Sequence, residues 1–386
     1  MGCARFTYNK ALALQKELYE KEQRKLSYPE LARYLVLWKK DAETSFLKEA
    51  PAQILQQKLM DLEKSYVNFF KKAAGFPKFK KRGRRETCRF PDAKQIVLDQ
   101  KNKRVHLPKI GWVQYWKSRE VIGTLKNVTI SYEGGDWFIS FQVEQEIEPP
   151  LHPSTSMVGI DLGIVHFATL SNGDHIPALN RLKKHRNVLK RSQKKLSRKK
   201  KGSQNWKKHC KKLARTHKKI RNCRKDFLHK SSTTLSKNQA ILVVEKLKIG
   251  NMSRSAKGEK KEPGRNVKAK EGLNRSILHQ GWGKFIQYLS YKQKERGGLL
   301  IFVDPRYTSQ ACNRCGYVDA ANRTSQATFK CQSCEHKDHA DVNAAKNILA
   351  AGHAVLVCGE AVRPTLSKAE KAASMNQEPS LNQRVA

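Results

Sequence analysis

The sequence has 386 residues, enough for two or three domains with cores of their own. Hydrophobic residues make up 39%, which excludes a chain disordered throughout, and 77 Lys and Arg against 34 Asp and Glu leave a formal charge of +43. Self-repulsion on this scale calls for a polyanionic partner, nucleic acid first, with ribosomal, membrane-surface and polyphosphate-binding proteins sharing the composition.

The N-terminus, "MGCARFTYNK", carries no signal-peptide core, and Phe6 stands where a myristoylation signal needs Ser or Thr. With no apolar run long enough to span a bilayer, a soluble intracellular protein is expected. In that setting the nine cysteines read as metal ligands or core rather than disulfides.

Residues 1–75 read as helical, most clearly from about residue 8. Ser27 with Glu30 three positions on makes a capping-box pattern, and Ile54, Leu55, Leu59, Leu62, Tyr66 and Phe69 recur at helical spacing, the stripe of a packed core. "GFPKFKKRGRRETCRFP" then breaks the pattern, basic and aromatic, with Lys78, Lys80 and Arg82 as candidate nucleic-acid contacts. Short strand-like segments follow to about 145, with Gly134-Gly135 as a hairpin turn, and their number and spacing predict a small barrel or half-barrel. "EIEPPLHPSTS", residues 146–156 with three prolines, is a linker segment, and 151–156 is taken as the link between the domains.

A second domain is expected over 157–352. Two strands, 157–161 and 165–170, open it. From 181 to 230, Leu182, Leu189 and Leu196 recur every seven residues, as do Trp206, Leu213, Ile220 and Phe227, predicting a hairpin of two long helices with a narrow apolar seam. Roughly half of 181–225 is Lys or Arg with no acidic residue, so its outward face suits a phosphate backbone; Arg186, Lys190, Lys194, Lys207, Lys211 and Arg215 are the candidate contacts. "AILVVE" and "LLIFVD" are buried strands, 251–272 is a polar loop, and a helix is broken near Gly281-Gly283. Residues 353–386 read as a disordered tail.

Two features carry chemistry. "CNRC" at 312–315 and "CQSC" at 331–334 stand fifteen residues apart, the spacing of a zinc ribbon spanning about 308–338: each pair aims two thiolates at one point, and two pairs complete a tetrahedron. Cys312, Cys315, Cys331 and Cys334 would close a structural Zn²⁺ site, with His336 and His339 as unneeded substitutes. Asp161 and Glu245 each end a buried strand and Asp341 begins a helix. Strands of one sheet can gather such carboxylates at one end, where they repel unless Mg²⁺ or Mn²⁺ sits among them. Two such ions can activate water and stabilise the leaving oxygen of a phosphodiester, the logic of an RNase H-like nuclease.

"GIDLGIVHFATLSNG", "AILVVEKLKIGNMSR", "VDPRYTSQACNRCGYVD" and "CQSCEHKDHADVNAAKNI" together resemble the TnpB proteins of bacterial insertion sequences, with "CARFTYNKAL", "GFPKFKKRG" and "LPKIGWVQ" as further likenesses upstream. TnpB proteins are RNA-guided DNA endonucleases related to the type V CRISPR effectors and the eukaryotic Fanzor proteins. The resemblance implies a multidomain α+β fold: a wedge β-barrel with a helical recognition insert over 1–150, then an RNase H-like (RuvC) nuclease domain with an inserted zinc ribbon. It implies a catalytic, Mg²⁺-binding triad of Asp161, Glu245 and Asp341. It also implies a guide RNA from the transposon end, a double-stranded DNA target beside a transposon-adjacent motif, and a monomeric ribonucleoprotein at the bacterial nucleoid. Members usually carry a further strand ahead of "CARFTYNKAL", so a barrel short of that strand or a shortened start is expected, and Glu335 stands where glycine is common. The other class open to this chain is a nucleic-acid-binding regulator or accessory transposase-type protein without productive cleavage.

Overall fold

A computed structural model describes residues 1–83, 86–148, 150–179, 181–258 and 262–357, excepting the side chains of 181–184 and 186. The tail expected from 353 begins inside a helix that runs to Val357, and its remainder lies outside the described residues. The chain divides into two compact units, Met1–Ile147 and a second from Glu148. No helix among the described residues is long and apolar enough to cross a membrane.

In the first unit, α1 (Gly2–Glu22), α2 (Tyr28–Lys40), a 3₁₀ stretch (Ala42–Glu49) and α3 (Ala52–Phe70) come first. Glu30 accepts the Ser27 backbone N–H at 2.8 Å, satisfying a donor that the start of α2 would otherwise leave free. Leu12, Leu31, Leu47, Leu55, Leu59 and Leu62 are buried in one cluster between these helices.

Six strands follow: β1 (Glu86–Phe90), β2 (Val97–Asp99), β3 (Arg104–Leu107), β4 (Gly111–Gln114), β5 (Thr124–Glu133) and β6 (Asp136–Glu144). They do not make the expected barrel. They form two open antiparallel sheets, ordered β1-β5-β6 and β2-β3-β4, so the wedge-barrel fold class is corrected to open sheets. Closure requires every edge to find a partner. Here β2–β4 are three or four residues long and pair as a meander of their own, leaving β1 and β6 as edges. The hairpin itself forms as the glycines dictate: Glu133 pairs with Asp136, and Gly134 and Gly135 adopt φ of 63° and 101°, the left-handed values a two-residue turn needs.

The second unit is built on a mixed, open five-stranded sheet, ordered β11-β10-β7-β8-β9. Its strands are β7 (Met157–Asp161), β8 (His166–Leu170), β9 (His175–Pro177), β10 (Ile241–Glu245) and β11 (Leu299–Val303). β7, β10 and β11 run parallel, and β8 and β9 return antiparallel. Around it lie α4 (Arg181–Ser197), α5 (Gln204–Asn238), the short α6 (Ile249–Met252), α7 (Val267–Gln280), α8 (Trp282–Glu295) and α9 (Ala340–Val357). The helix break falls at Gly281, φ 75°.

Both faces of the sheet are covered, which is why its parallel strands are continuous apolar runs rather than alternating ones. Leu242 and Val244 pack with Leu228, Leu235, Phe285 and Leu289 of α5 and α8; Val243, Ile301 and Val303 pack with Ile348 of α9. Between β11 and α9 lies the cysteine module, carrying the small hairpin β12 (Thr328–Lys330) and β13 (Lys337–His339).

Candidate active site

Val244 pairs with Ile160 in parallel register, so the next residues, Glu245 and Asp161, stand side by side as the last residues of their strands. Neighbouring strands lie about 4.8 Å apart, which sets the two carboxylates close by backbone geometry alone. Asp341 arrives differently, in the first turn of α9. That helix can lie directly on β7 because position 159 is glycine: a Cβ there would fall 2.2 Å from the Ala345 carbonyl oxygen and 2.7 Å from the Leu349 nitrogen. Ala345 is one turn after Asp341, so this contact fixes how far along β7 the third carboxylate sits.

The electrostatics follow from that convergence. Burial, then repulsion from Glu245 and Asp341, pushes Asp161 up to about 7 from the ordinary 3.8; Arg323 and the Leu162 N–H offset part of this. Burial also raises Glu245, against the Thr308 hydroxyl, which donates to its Oε1 at 2.6 Å. Arg323 Nη2 donates to Asp341 Oδ1 at 3.1 Å. Asp161 and Glu245 thus offer hard, partly dehydrated oxygen donors near Asp341, the donor chemistry that suits Mg²⁺ or Mn²⁺, although the three carboxylates do not close into a ligand cluster as the cysteines do.

This arrangement should destabilise the metal-free fold. The folded-state value of Asp161 lies above its unfolded value, so its contribution is most favourable below about pH 4 and is lost as pH rises through about 7. Asp161→Asn should therefore raise the melting temperature in chelator by several degrees at pH 8, since each tenfold change in proton affinity on folding is worth about 1.4 kcal/mol. The gain should vanish by about pH 4, as scanning calorimetry across pH would show.

The four cysteines come together as their spacing requires: their ligand sulfurs all lie within 4.8 Å of one another. Cys312 and Cys334 are 3.7 Å apart and Cys315 and Cys331 3.6 Å, against the roughly 3.8 Å that a tetrahedron with Zn–S of about 2.3 Å implies. The neighbouring histidines turn elsewhere, His336 toward Asp338 at 3.8 Å and His339 against the ring of His175 at 5.4 Å between centroids. Glu335 has φ 53°, which explains why glycine suits this position. Glu335→Gly should stabilise the module by about 0.5–1 kcal/mol, measurable as slower loss of metal to a chelator.

The candidate nucleic-acid contacts divide. Lys190, Lys194, Lys207, Lys211 and Arg215 are exposed on α4 and α5, and the Arg186 side chain lies outside what is described. Leu189, Leu196, Trp206, Leu213 and Ile220 are half-buried along the seam. A groove of about 450 Å³ between the helices is lined by His185, Val188, Lys212, Arg215, Thr216 and Lys219, with no acidic residue. In the first unit Lys78, Lys80 and Arg82 are all exposed, and the Lys80 ammonium lies 3.7 Å from the centre of the Tyr8 ring. The Asn9 side chain grips the Lys80 backbone at 2.8 and 3.0 Å, and burial followed by Lys58 lowers its ammonium to about 8. Lys80 thus pins its own segment to α1.

Arg323 and Thr308 were not legible in the sequence. Both lie in irregular chain beside the cysteines, where no periodicity marks them, and reach the carboxylates only through the folded module.

Three family models match the chain: a probable transposase over residues 140–256, a Cas12f1-like TNB domain over 282–348, and a helix-turn-helix domain over 1–24. The putative RNA-guided DNA endonuclease InsQ of Escherichia coli is 50% identical over 362 residues, covering 94% of this chain and 90% of that protein. A putative RNA-guided DNA endonuclease of Streptomyces pristinaespiralis is 33% identical over 384 residues, 98% of this chain and 91% of its own. The CRISPR-associated endodeoxyribonuclease Cas12f1 of Sulfoacidibacillus thermotolerans is 50% identical over 62 residues, 16% of this chain and 15% of that one.

Proposed function

Because this chain belongs to the TnpB family of RuvC-related RNA-guided DNA endonucleases, akin to Cas12f, we propose that it hydrolyses DNA phosphodiester bonds at Asp161, Glu245 and Asp341. Its class is that of an RNA-guided DNA endonuclease. The observation that supports these three residues most is the placement of Asp161 and Glu245 at the ends of neighbouring parallel strands with Asp341 near them in α9: burial, then repulsion from the other two, lifts Asp161 to about 7.

The three carboxylates would hold Mg²⁺ or Mn²⁺, which when bound supplies an activated water and charge stabilisation at the leaving oxygen. Arg323 shares Asp341 and limits the repulsion around it. Cys312, Cys315, Cys331 and Cys334 would hold Zn²⁺; four thiolates fill a tetrahedron, so this site stabilises the module rather than taking part in hydrolysis.

On this reading residues 1–150 hold a guide RNA from the transposon end and meet the transposon-adjacent motif, while 157–352 cut. Base pairing with the guide selects the double-stranded target. Exposed Lys190, Lys194, Lys207, Lys211 and Arg215 lie along the RNA–DNA heteroduplex and contact its backbone. The working form is one chain with one RNA, acting at the nucleoid in the cytoplasm.

RNA copurified from cells carrying the parent insertion sequence should be dominated by one species from the element's end, and the complex should cut a plasmid bearing the matching target in Mg²⁺. Heterogeneous RNA, or a single guide without cutting, would instead identify a nucleic-acid-binding regulator.

A further inference from the structure

We propose that Thr308 is a positioning residue that fixes the orientation of Glu245 at the carboxylate site, held in place by Asn343 and Asn347 of α9. The proposal rests on the carboxylate reading above and names a residue outside the triad that it requires.

Thr308 is 8% exposed, and its hydroxyl donates to Glu245 Oε1 at 2.6 Å; the alternative acceptor, the Pro305 carbonyl, is farther at 3.2 Å. One hydroxyl proton serves mainly the carboxylate, leaving Oε2 of Glu245 for a metal ion. Glutamate has more rotatable bonds than aspartate, so at a strand end it needs an external contact to keep one rotamer. Asp161 needs less help because its side chain is shorter; the backbones of both residues are held alike, Asp161 against Thr169 and Glu245 against Val303.

Thr308 is itself held. Asn347 Nδ2 donates to the carbonyls of Thr308 at 2.9 Å and Ala311 at 2.7 Å. Asn343, wholly buried, donates from Nδ2 to the Ala311 carbonyl at 2.8 Å and accepts the Asn313 N–H at Oδ1 at 3.0 Å. Two asparagines one turn apart thus grip the segment leading into Cys312. The same helix carries Asp341 two residues before Asn343. α9 therefore delivers one carboxylate directly and orients another through Thr308, tying the spacing of Glu245 and Asp341 to a single rigid element. Removing a group that hydrogen-bonds a metal ligand typically weakens affinity by about 10–100-fold.

The test uses the full ribonucleoprotein with Thr308→Val, which keeps the shape and deletes the hydroxyl, and Thr308→Ser, which restores it. Mn²⁺ binding is titrated by electron paramagnetic resonance of the free ion, and ions held by RNA are subtracted with the Asp161→Asn complex. Thr308→Val should weaken the protein-held Mn²⁺ about tenfold or more and raise the Mg²⁺ concentration for half-maximal cleavage by the same factor, with target binding and melting temperature retained. Thr308→Ser should recover most of both. Unchanged Mn²⁺ affinity in Thr308→Val, or equal loss in both variants, overturns the proposal. If the Asp161→Asn complex holds as much Mn²⁺ as the parent, the carboxylate reading itself fails instead.

Discussion

Asp161→Ala is expected to lose guided DNA cleavage by at least about 10³-fold while guide RNA and target binding stay within twofold of the parent. Asp161 sits at the end of β7 with Glu245 beside it in register and Asp341 delivered by α9. Burial and the repulsion of Glu245 and Asp341 raise it to about 7, a cost that a bound cation would offset. Metal-supplied stabilisation of the transition state amounts to several kcal/mol, and each 1.36 kcal/mol is a factor of about ten in rate. Binding should survive because the basic face of α4 and α5 lies on other elements and makes its contacts through exposed cations. The measurement pairs a plasmid-cleavage time course with a target-binding shift assay on the same preparations. Cleavage that persists in Asp161→Ala would remove this residue from the chemistry.

Cys331→Ser is the second change with a large expected effect. The module's own apolar core comprises Cys312, Phe329, Cys331 and Ala340, with Cys334 packed against it. That is far below what a segment needs to fold by burial alone, so on the proposed reading metal binding would supply its folding energy. In isolated zinc-finger peptides this amounts to about 10–16 kcal/mol, and losing one of four thiolates forfeits most of it. Cys331→Ser should therefore carry less than one zinc per chain by elemental analysis and lose amide protection over residues 308–339 in hydrogen exchange. The five-stranded sheet, whose core is separate, should keep its protection. Cleavage should fall with the module even though no cysteine touches the carboxylates, because Arg323 and Thr308 reach Asp341 and Glu245 from its chain. Full cleavage by a zinc-free variant would show that the module is dispensable for the site.

The parts of this molecule legible in the sequence are those set by neighbours along the chain. An apolar run ended by an acid marks a buried strand whose last side chain must leave the sheet, which is how Asp161 and Glu245 stand out. Ser27 and Glu30 announce a helix start, Gly134-Gly135 a hairpin, and two C-x₂-C pairs a shared centre, each through contacts within a few residues. Whether the strands of the first unit close into a barrel was not legible, and the expected barrel is not formed. Six short strands at even spacing are compatible with closure or with separate sheets, and the choice depends on whether distant edges meet; here β2–β4 pair among themselves.

Side-chain roles show the same division. A lysine in a basic loop reads as a phosphate contact, and only packing shows that the exposed Lys80 also lays its ammonium beside the Tyr8 ring. An arginine between two cysteine pairs carries no periodic signal, yet Arg323 arrives at Asp341. The sequence by itself determined the residue types, the strand ends, the thiolate geometry and the surplus of charge that demands a polyanion. The tertiary structure alone decided how closely α9 approaches β7 over Gly159 and which polar groups reach Glu245 and Asp341. The physical reason is range: hydrogen-bonded turns and strand periodicity are local, whereas burial and charge repulsion act between residues that only folding brings together.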